Sequence, residues 1–274
     1  MHNPLRFMSP PLPPPQTKTM SHFYEIKSKH SASFRDDINT PFQAKKEWLS
    51  SGRKVVGSVT EKLKVWPNGY FDTWRISEAI HLARKHPDVE TSTIAEMLWG
   101  VREHPITGQE IGSAAWGTEA HKQLELAMNK QWHPNGWKPF VQPFVDWTNE
   151  KNFEVLATET IIASDLPSFN CAGTIDLLAL LDNKVALFDY KTRLVKEGQD
   201  IKKKAYAKDC MQLASESHMV REMMHLDYNP KIFTVIISTE DGDTHVKEWT
   251  DKAFEKSLAN AISCFTFYDE INGL

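Results

Sequence analysis

Cysteine is scarce in this sequence: the 274 residues include three, Cys171, Cys210 and Cys264, which are far apart. An odd number at such spacing favours a reducing compartment over a disulfide framework, and the absence of a CxxC pair gives no sign of a zinc site. No apolar run approaches the length of a membrane span, so we expect no membrane association. The sequence also lacks a G-x4-G-K-S/T phosphate loop, so we expect no nucleotide-driven motor.

A strong excess of positive charge is missing too. The formal net charge is −4, so binding to nucleic acid would need a local basic surface. Hydrophobic residues make up 41% of the chain and charged residues 25%, as in a soluble globular protein. The length allows one large domain, or a core with a helical addition.

The beginning of the chain is rich in proline, with the run PPLPPPQ. We interpret residues 1–20 as a disordered tail. They lack the apolar region of a secretory signal, so we expect a cytoplasmic location, in the host cell if the source is viral. Acidic residues are absent before Glu25, a pattern compatible with an organellar presequence, and targeting to an organelle stays open.

Beyond the tail, the pattern divides the chain in two. Residues 21–110 are predicted to be mainly helical, because apolar residues there recur at steps of three and four. Residues 111–274 contain predicted helices and strands in turn, in the order helix, strand, two-stranded hairpin, helix and strand. We therefore expect an α/β core in residues 111–274, preceded by a helical region.

The hairpin, residues 171–193 (CAGTIDLLALLDNKVALFDYKTR), is the most informative stretch. Its two apolar runs are separated by Asp182-Asn183, residue types that tolerate the left-handed backbone of a two-residue turn. Asp189 and Lys191 lie two apart on the second strand and share a face, which Asp176 can approach from the first. The sequence thus predicts a divalent-metal site, with a solvated Asp–Lys pair as the alternative.

Other polar residues near the hairpin are more ambiguous. Glu159 lies in a predicted strand and could point toward Asp176 or toward solvent. His121 lies near the start of a predicted helix, where a lone histidine usually packs or decorates the surface. The stretch after the hairpin is basic and includes Lys202, Lys203 and Lys204. Such a run is most often a solvated helix face, but its position makes contact with phosphates an equal competitor.

Taken in order, these motifs resemble the PD-(D/E)XK nucleases, and more narrowly their RecB-type exonuclease branch. The matching segments, which span about residues 113–238, are GTEAH (His121), TET (Glu159), GTID (Asp176), DYKT (Asp189, Lys191 and Thr192) and MQL (Gln212). The earlier segment VVGSVTEKL is similar to a lead-in found in mitochondrial and phage members. One motif alone is weak, whereas five in this order are a specific signal.

The resemblance implies a restriction-endonuclease-like core, with a central mixed sheet flanked by helices. It implies a metal-dependent deoxyribonuclease, an exonuclease acting on DNA that is single-stranded or has free ends. Its setting would be recombination, repair or replication, with a protein partner from one of these processes, and a phage origin is compatible with it. The alternatives are a restriction-like endonuclease and a nucleic-acid-binding module without turnover. The complete D…D-x-K set argues against the module, because decayed members typically lose one of these residues.

The resemblance also implies roles for individual residues. The ligands of Mg²⁺ or Mn²⁺ would be His121, Asp176, Asp189 and the backbone carbonyl of Tyr190. A histidine ligand favours Mn²⁺. Lys191 would position the attacking water or help to deprotonate it, and stabilise the developing charge. Glu159 would bind a second ion.

Further roles concern the nucleic acid. Gln212 would support Lys191 or the DNA, and the residues expected to contact nucleic acid are Thr192, Arg193, Lys202, Lys203 and Lys204. The sequence departs from the family pattern in two places. Glu216 stands where the helix usually has tyrosine (Q-x3-Y), which weakens the expectation that this helix positions DNA. The three cysteines do not match the four that hold an iron–sulfur cluster in one branch, so we expect no cluster.

Overall fold

The computed structural model describes residues 22–67, 69–91, 94, 98, 100–167 and 169–274, and for residues 69–75 it describes the backbone alone. The predicted disordered tail, residues 1–20, lies outside the described residues. The strands are β1 (Phe23–Ser28), β2 (Ser31–Arg35), β3 (Val55–Gly57), β4 (Val101–Glu103), β5 (Glu110–Gly112), β6 (Phe153–Leu166), β7 (Phe169–Leu181), β8 (Lys184–Arg193), β9 (Lys231–Ser238) and β10 (Thr244–Glu248).

Helices accompany these strands throughout the chain. Those with described bounds are α1 (Pro41–Ser51), α2 (Val59–Lys62), α3 (Gly69–Lys85), α4 (Ser113–Met128), α5 (Lys138–Asn149), α6 (Ala207–Met224) and α7 (Asp251–Asn272). Single 3-10 turns occupy Leu63–Val65 and Ile201–Lys204. Within the described residues, no helix combines the length and the apolar character needed to cross a membrane.

A five-stranded mixed sheet, in the order β10-β9-β8-β7-β6, forms the centre of the fold. β8 and β9 are parallel, whereas the other neighbours are antiparallel. Parallel neighbours need a long crossover, which α6 supplies between β8 and β9. The expected α/β fold with a central mixed sheet and flanking helices is confirmed.

The turn between β7 and β8 lies where the sequence predicted it. Asp182 and Asn183 have φ values of 52° and 63°, the left-handed conformation that a two-residue hairpin loop requires. The turn fixes the pairing of Leu181 with Lys184 and, through it, the pairing of Leu177 with Phe188. The register of the site residues that follow is therefore set by local turn chemistry.

Side chains of β8 alternate between two hydrophobic cores. Leu187 belongs to a core formed with α6 and α7, whereas Phe188 belongs to an aromatic core formed with α4 and α5. Phe188 stacks on Phe233 of β9, with ring centroids 4.7 Å apart and planes 9° apart. Burying such a ring contributes about 1.5–3 kcal/mol, so both faces of the central strands anchor helices.

The region predicted to be mainly helical contains strands as well as helices. β1, β2 and β3 form an antiparallel sheet in the order β2-β1-β3, and β4 pairs with β5. Tyr24 and Val56 from this region share a small core with Ala163 and Ala172 of the central sheet. The helical description of residues 21–110 is thus incomplete, and the division at residue 110 stays a prediction.

An ion pair ties the same region to the last helix. The Lys62 side chain is 1% exposed, and its Nζ lies 2.5 and 2.6 Å from the two carboxylate oxygens of Asp269 in α7. Burial lowers the pKa of Lys62, and the attraction of Asp269 opposes that shift. Because both charges are taken out of water, each depends on the other.

We expect Lys62→Ala to lower the free energy of unfolding by about 3 kcal/mol, because it leaves the Asp269 carboxylate without its partner. Urea denaturation followed by circular dichroism measures the change. The control is Lys64→Ala. The Lys64 side chain is 53% exposed, so its removal should lower the free energy of unfolding by less than about 1 kcal/mol. Equal stabilities of the two variants would contradict a buried, mutually dependent pair.

Candidate metal centre and active site

Three carboxylates lie level with one another on adjacent strands. The β6–β7 pairs on either side of Glu159 and Asp176 place these two residues opposite each other. The β7–β8 ladder ends at Leu177 and Phe188, and the next residues are Asp176 and Asp189. Since all three carboxylates line one cavity, the register of the sheet itself forms a row of acidic side chains, here called the carboxylate row.

His121 reaches this row from α4. Its Nδ1 lies 3.5 Å from Oδ2 of Asp176, and the ligand atoms of His121, Glu159 and Asp176 all lie within 4.8 Å of one another. The backbone N–H of Tyr190 donates to the same Asp176 oxygen at 2.7 Å. Carboxylate oxygens and an imidazole suit Mg²⁺ and Mn²⁺, so this donor set fits the expected ions.

The two oxygens of the Asp189 carboxylate differ in their hydrogen bonding. Oδ1 accepts hydrogen bonds from Lys191 Nζ at 2.6 Å and from Gln212 Nε2 at 3.0 Å. Oδ2 is buried and has no hydrogen-bond partner among the described residues. Leaving a buried polar atom unpaired is costly, and a cation held by the carboxylate row would supply the missing partner.

Gln212 and Glu216 extend the polar network along α6. Lys191 Nζ donates to Oε1 of Gln212 at 3.3 Å, and Nε2 of Gln212 donates to Oε1 of Glu216 at 3.1 Å. Burial, together with the charges of Asp189 and Asp176, raises the pKa of Glu216 well above its usual range. The two α6 residues lie one turn apart on the same face. Spacing alone could have added Glu216 to the predicted site.

The environment separates the acidities of the carboxyl groups. Burial, reinforced by Asp176, raises the pKa of Glu159 to about 7. Burial also raises the pKa of Asp189 to about 6, although Lys191 opposes the shift. Burial acts in the same direction on Asp176, but its pKa is lowered because His121, Lys191 and the Tyr190 N–H outweigh burial. Near neutral pH, protons and a metal ion would therefore compete for Glu159 and Asp189.

The backbone at Glu159 supports a functional reading. Its φ is 46°, a left-handed conformation within a β-strand, which costs a residue other than glycine about 1–3 kcal/mol. Such strain persists where surrounding structure enforces it, and it is commonest at functional sites. Here the flanking β6–β7 pairs hold the strand in register while Glu159 adopts this conformation.

The cavity that contains the carboxylate row has a volume of about 870 Å³. Its walls come from both halves of the chain: β6, β7, β8, α4 and α6 on one side, and β1, β2 and α2 on the other. The hydroxyl groups of Tyr24 and Thr174, 3.0 Å apart, join the two sides. This is more space than a single phosphate group needs, so the site can accept a larger ligand.

Most of the predicted site residues meet in this cavity. Its lining includes His121, Glu159, Asp176, Asp189, Lys191, Thr192 and Gln212. Tyr190 does not line it: its ring packs in the aromatic core, and its backbone N–H anchors Asp176. A carbonyl ligand from Tyr190 stays a prediction.

The predicted nucleic-acid contacts are scattered. The Arg193 guanidinium donates to both Asp209 carboxylate oxygens, at 3.0 and 3.2 Å, and lies 5.1 Å from the centroid of the Tyr206 ring. Lys202, Lys203 and Lys204 occupy a 3-10 turn that packs beside β9 and β10, outside the cavity lining. Their contact with phosphates stays a prediction.

Comparison with known proteins adds little. No family model matches the sequence, and no curated protein matches it. Among solved structures, a protein from Eubacterium rectale named "putative exonuclease" is similar over 57% of this chain and 67% of that one, with 10% identity and a TM-score of 0.39. So distant a likeness does not indicate the chemistry of this chain.

We expect Mn²⁺ to raise the melting temperature of the protein more at pH 8 than at pH 5.5. At pH 5.5 protons occupy carboxyls whose pKa values lie at about 6 and about 7, whereas at pH 8 these groups are ionised and can bind the ion. Differential scanning fluorimetry with and without Mn²⁺ measures the shift.

Glu159→Gln should shrink the Mn²⁺ shift at pH 8. Glu154→Gln, on the same strand outside the cavity, should leave it unchanged. An equal shift at the two pH values would contradict competition between protons and the ion. An equal shift in the two variants would show that Glu159 does not bind the ion.

Proposed function

We propose that the chain is a metal-dependent nuclease of the PD-(D/E)XK type, of the RecB-type exonuclease branch, which hydrolyses phosphodiester bonds in DNA. The observation that carries this proposal is the carboxylate row with Lys191 at its end, inside one cavity. A row of acidic ligands beside a fixed ammonium suits a reaction in which negative charge develops on phosphate oxygens.

His121, Glu159, Asp176 and the free oxygen of Asp189 would hold Mg²⁺ or Mn²⁺. When bound, the ion offsets the charge of the phosphate and acidifies a coordinated water. The protein keeps these ligands in place by different means. The sheet register fixes the carboxylates, the Tyr190 N–H anchors Asp176, and α4 delivers the imidazole.

Lys191 would act as a cation rather than as a base. Burial opposes its charged form, but Asp189 and Asp176 outweigh burial and raise its pKa. An ammonium group has no free electron pair, so it cannot accept a proton. It can orient the attacking water and stabilise the developing charge, and its bonds to Asp189 and Gln212 fix its direction.

We expect Asp189→Asn to lower the rate of DNA cleavage by roughly a hundredfold or more, because it removes a charge that holds the ion. The assay uses end-labelled linear and circular DNA, single- and double-stranded, with Mg²⁺, Mn²⁺ or EDTA. The matched control is Asp182→Asn in the hairpin turn, where asparagine tolerates the left-handed backbone and the cavity is not touched.

The substrates separate the related functions. Degradation of linear but not circular DNA means an exonuclease, cutting of circles means an endonuclease, and binding without cutting means a module that lacks turnover. Near wild-type cleavage by Asp189→Asn, with an unchanged melting temperature, would contradict the metal-site assignment.

Glu216 provides a second test, because it holds Gln212 against Lys191 and Asp189. We expect Glu216→Ala to lower kcat about tenfold, as for other residues that orient a metal site, with KM for DNA little changed. Glu216→Gln keeps a side-chain oxygen that can accept the hydrogen bond from Gln212, so this variant should retain most of the wild-type kcat. Glu222→Ala, on the same helix outside the cavity, is the control. Equal losses in the Ala and Gln variants would show that the hydrogen bond is not what matters.

A further inference from the structure

An apolar surface lies beside the carboxylate row in the same cavity. It consists of the Phe34 side chain from β2, 40% exposed, and the Ile161 side chain from β6, 37% exposed. Large apolar groups at the edge of an acidic site are not needed to hold a metal ion. Their exposure inside a concave site calls for an apolar part of the ligand.

The Phe34 ring is held firmly in this position. It packs edge-to-face against Tyr24, with centroids 5.6 Å apart, and against His22, with centroids 5.5 Å apart. Tyr24 is itself buried, pairs with Phe34 across the β1–β2 ladder, and is hydrogen-bonded to Thr174. A ring fixed in this way can offer a face to a ligand with little further loss of entropy.

Register places this surface close to the carboxylates. Ile161 pairs with Thr174, and these residues lie two positions from Glu159 and Asp176 on the same strands. Two residues of strand span about 7 Å, a distance within the reach of one nucleotide. The Tyr24–Thr174 contact brings Phe34 to the same level.

We propose that Phe34, with Ile161 beside it, stacks on a base of the nucleic-acid strand whose phosphate lies at the carboxylate row. This inference rests on the proposed nuclease function. A nucleotide meets both halves of the site, because its phosphate is anionic and its base has an apolar face. An apolar peptide or a second copy of the chain would cover the carboxylates without neutralising them. Stacking on an aromatic ring accepts every base, so the subsite favours no sequence.

The test measures binding of single-stranded oligonucleotides with Ca²⁺ in place of Mg²⁺, and gel electrophoresis checks that they stay intact. 2-Aminopurine, whose fluorescence falls when it stacks, is placed at successive positions from the end. A second series carries an abasic residue at each position. The proteins are the wild type, Phe34→Ala, Phe34→Tyr and the control Phe42→Ala, which removes a ring that is 77% exposed and outside the cavity.

We expect the wild type to quench 2-aminopurine fluorescence at one position of the oligonucleotide. Phe34→Tyr should quench it as well, whereas Phe34→Ala should not. Phe34→Ala should weaken binding about tenfold, within the range for one stacked base. The abasic residue at that position should weaken wild-type binding by a similar factor and Phe34→Ala binding hardly at all. Phe42→Ala should match the wild type.

Four results would overturn the inference. Equal weakening of normal and abasic oligonucleotides by Phe34→Ala would mean that the ring only supports the cavity wall. Unchanged oligonucleotide binding together with loss of self-association would assign Phe34 to a contact between copies of the chain. If the wild type binds and cleaves DNA and Phe34→Ala does so equally well, the base-stacking subsite is refuted and the nuclease function is not. If the wild type neither binds nor cleaves DNA, both the nuclease function and the subsite are refuted.

Discussion

The hydrogen bond from the Tyr190 N–H to Asp176 Oδ2 stands where the regular pairing of β7 and β8 ends. A carboxylate that accepts a backbone N–H is held in its ionised form, so this bond fixes both the position and the charge of Asp176. His121 and Glu159 gather around that carboxylate. In the same row, Asp189 accepts from Lys191 and Gln212 with one oxygen, and its other oxygen has no hydrogen-bond partner in the part of the chain that the structure describes. The arrangement of the site follows from where one ladder stops.

Several features of this region work against stability. Glu159 has a left-handed backbone. Asp189 has a buried oxygen that no described residue contacts by a hydrogen bond, and burial raises the pKa of the Glu216 carboxyl group. Each departs from the local rules that the rest of the central sheet obeys. Such departures concentrate at functional sites, since a folded chain retains them only where other packing holds them in place. The two cores on either side of β8 supply that packing.

The parts of the fold that the sequence could predict are those with local signals. Asp182-Asn183 between two apolar runs defines the hairpin, and alternation along β8 then places Asp189 and Lys191 on one side. The N-terminal strands have weaker signals. β2 has five residues, and the Tyr24–Thr174 bond that seats this sheet joins residues 150 apart in sequence. A contact between residues so far apart leaves no periodic pattern in the sequence, so the sequence does not predict the apolar surface of the cavity.

Arg193 shows a different limit. Next to the D-x-K motif its charge predicts a contact with nucleic acid, which stays a prediction, and in the folded chain its guanidinium pairs with Asp209. Asp209 also accepts from the Tyr206 N–H at the start of α6, so the guanidinium stabilises the helix that carries Gln212 and Glu216. The sequence shows that Arg193 is positively charged, but its pairing with Asp209 follows from the tertiary structure.

Two walls built from different strands and helices meet at the cavity. The sheet register and α4 position the acidic wall, which would carry out the chemistry. The β1–β2 hairpin adds Phe34 to the apolar surface, beside Ile161 of β6. The hairpin contacts the central sheet through the Tyr24–Thr174 hydrogen bond and a small shared core. In the proposed nuclease, substitutions on β2 would change how the nucleic-acid strand fits the cavity while the carboxylate row stays intact, because β2 carries none of the carboxylates. Binding of the strand and hydrolysis would then vary separately.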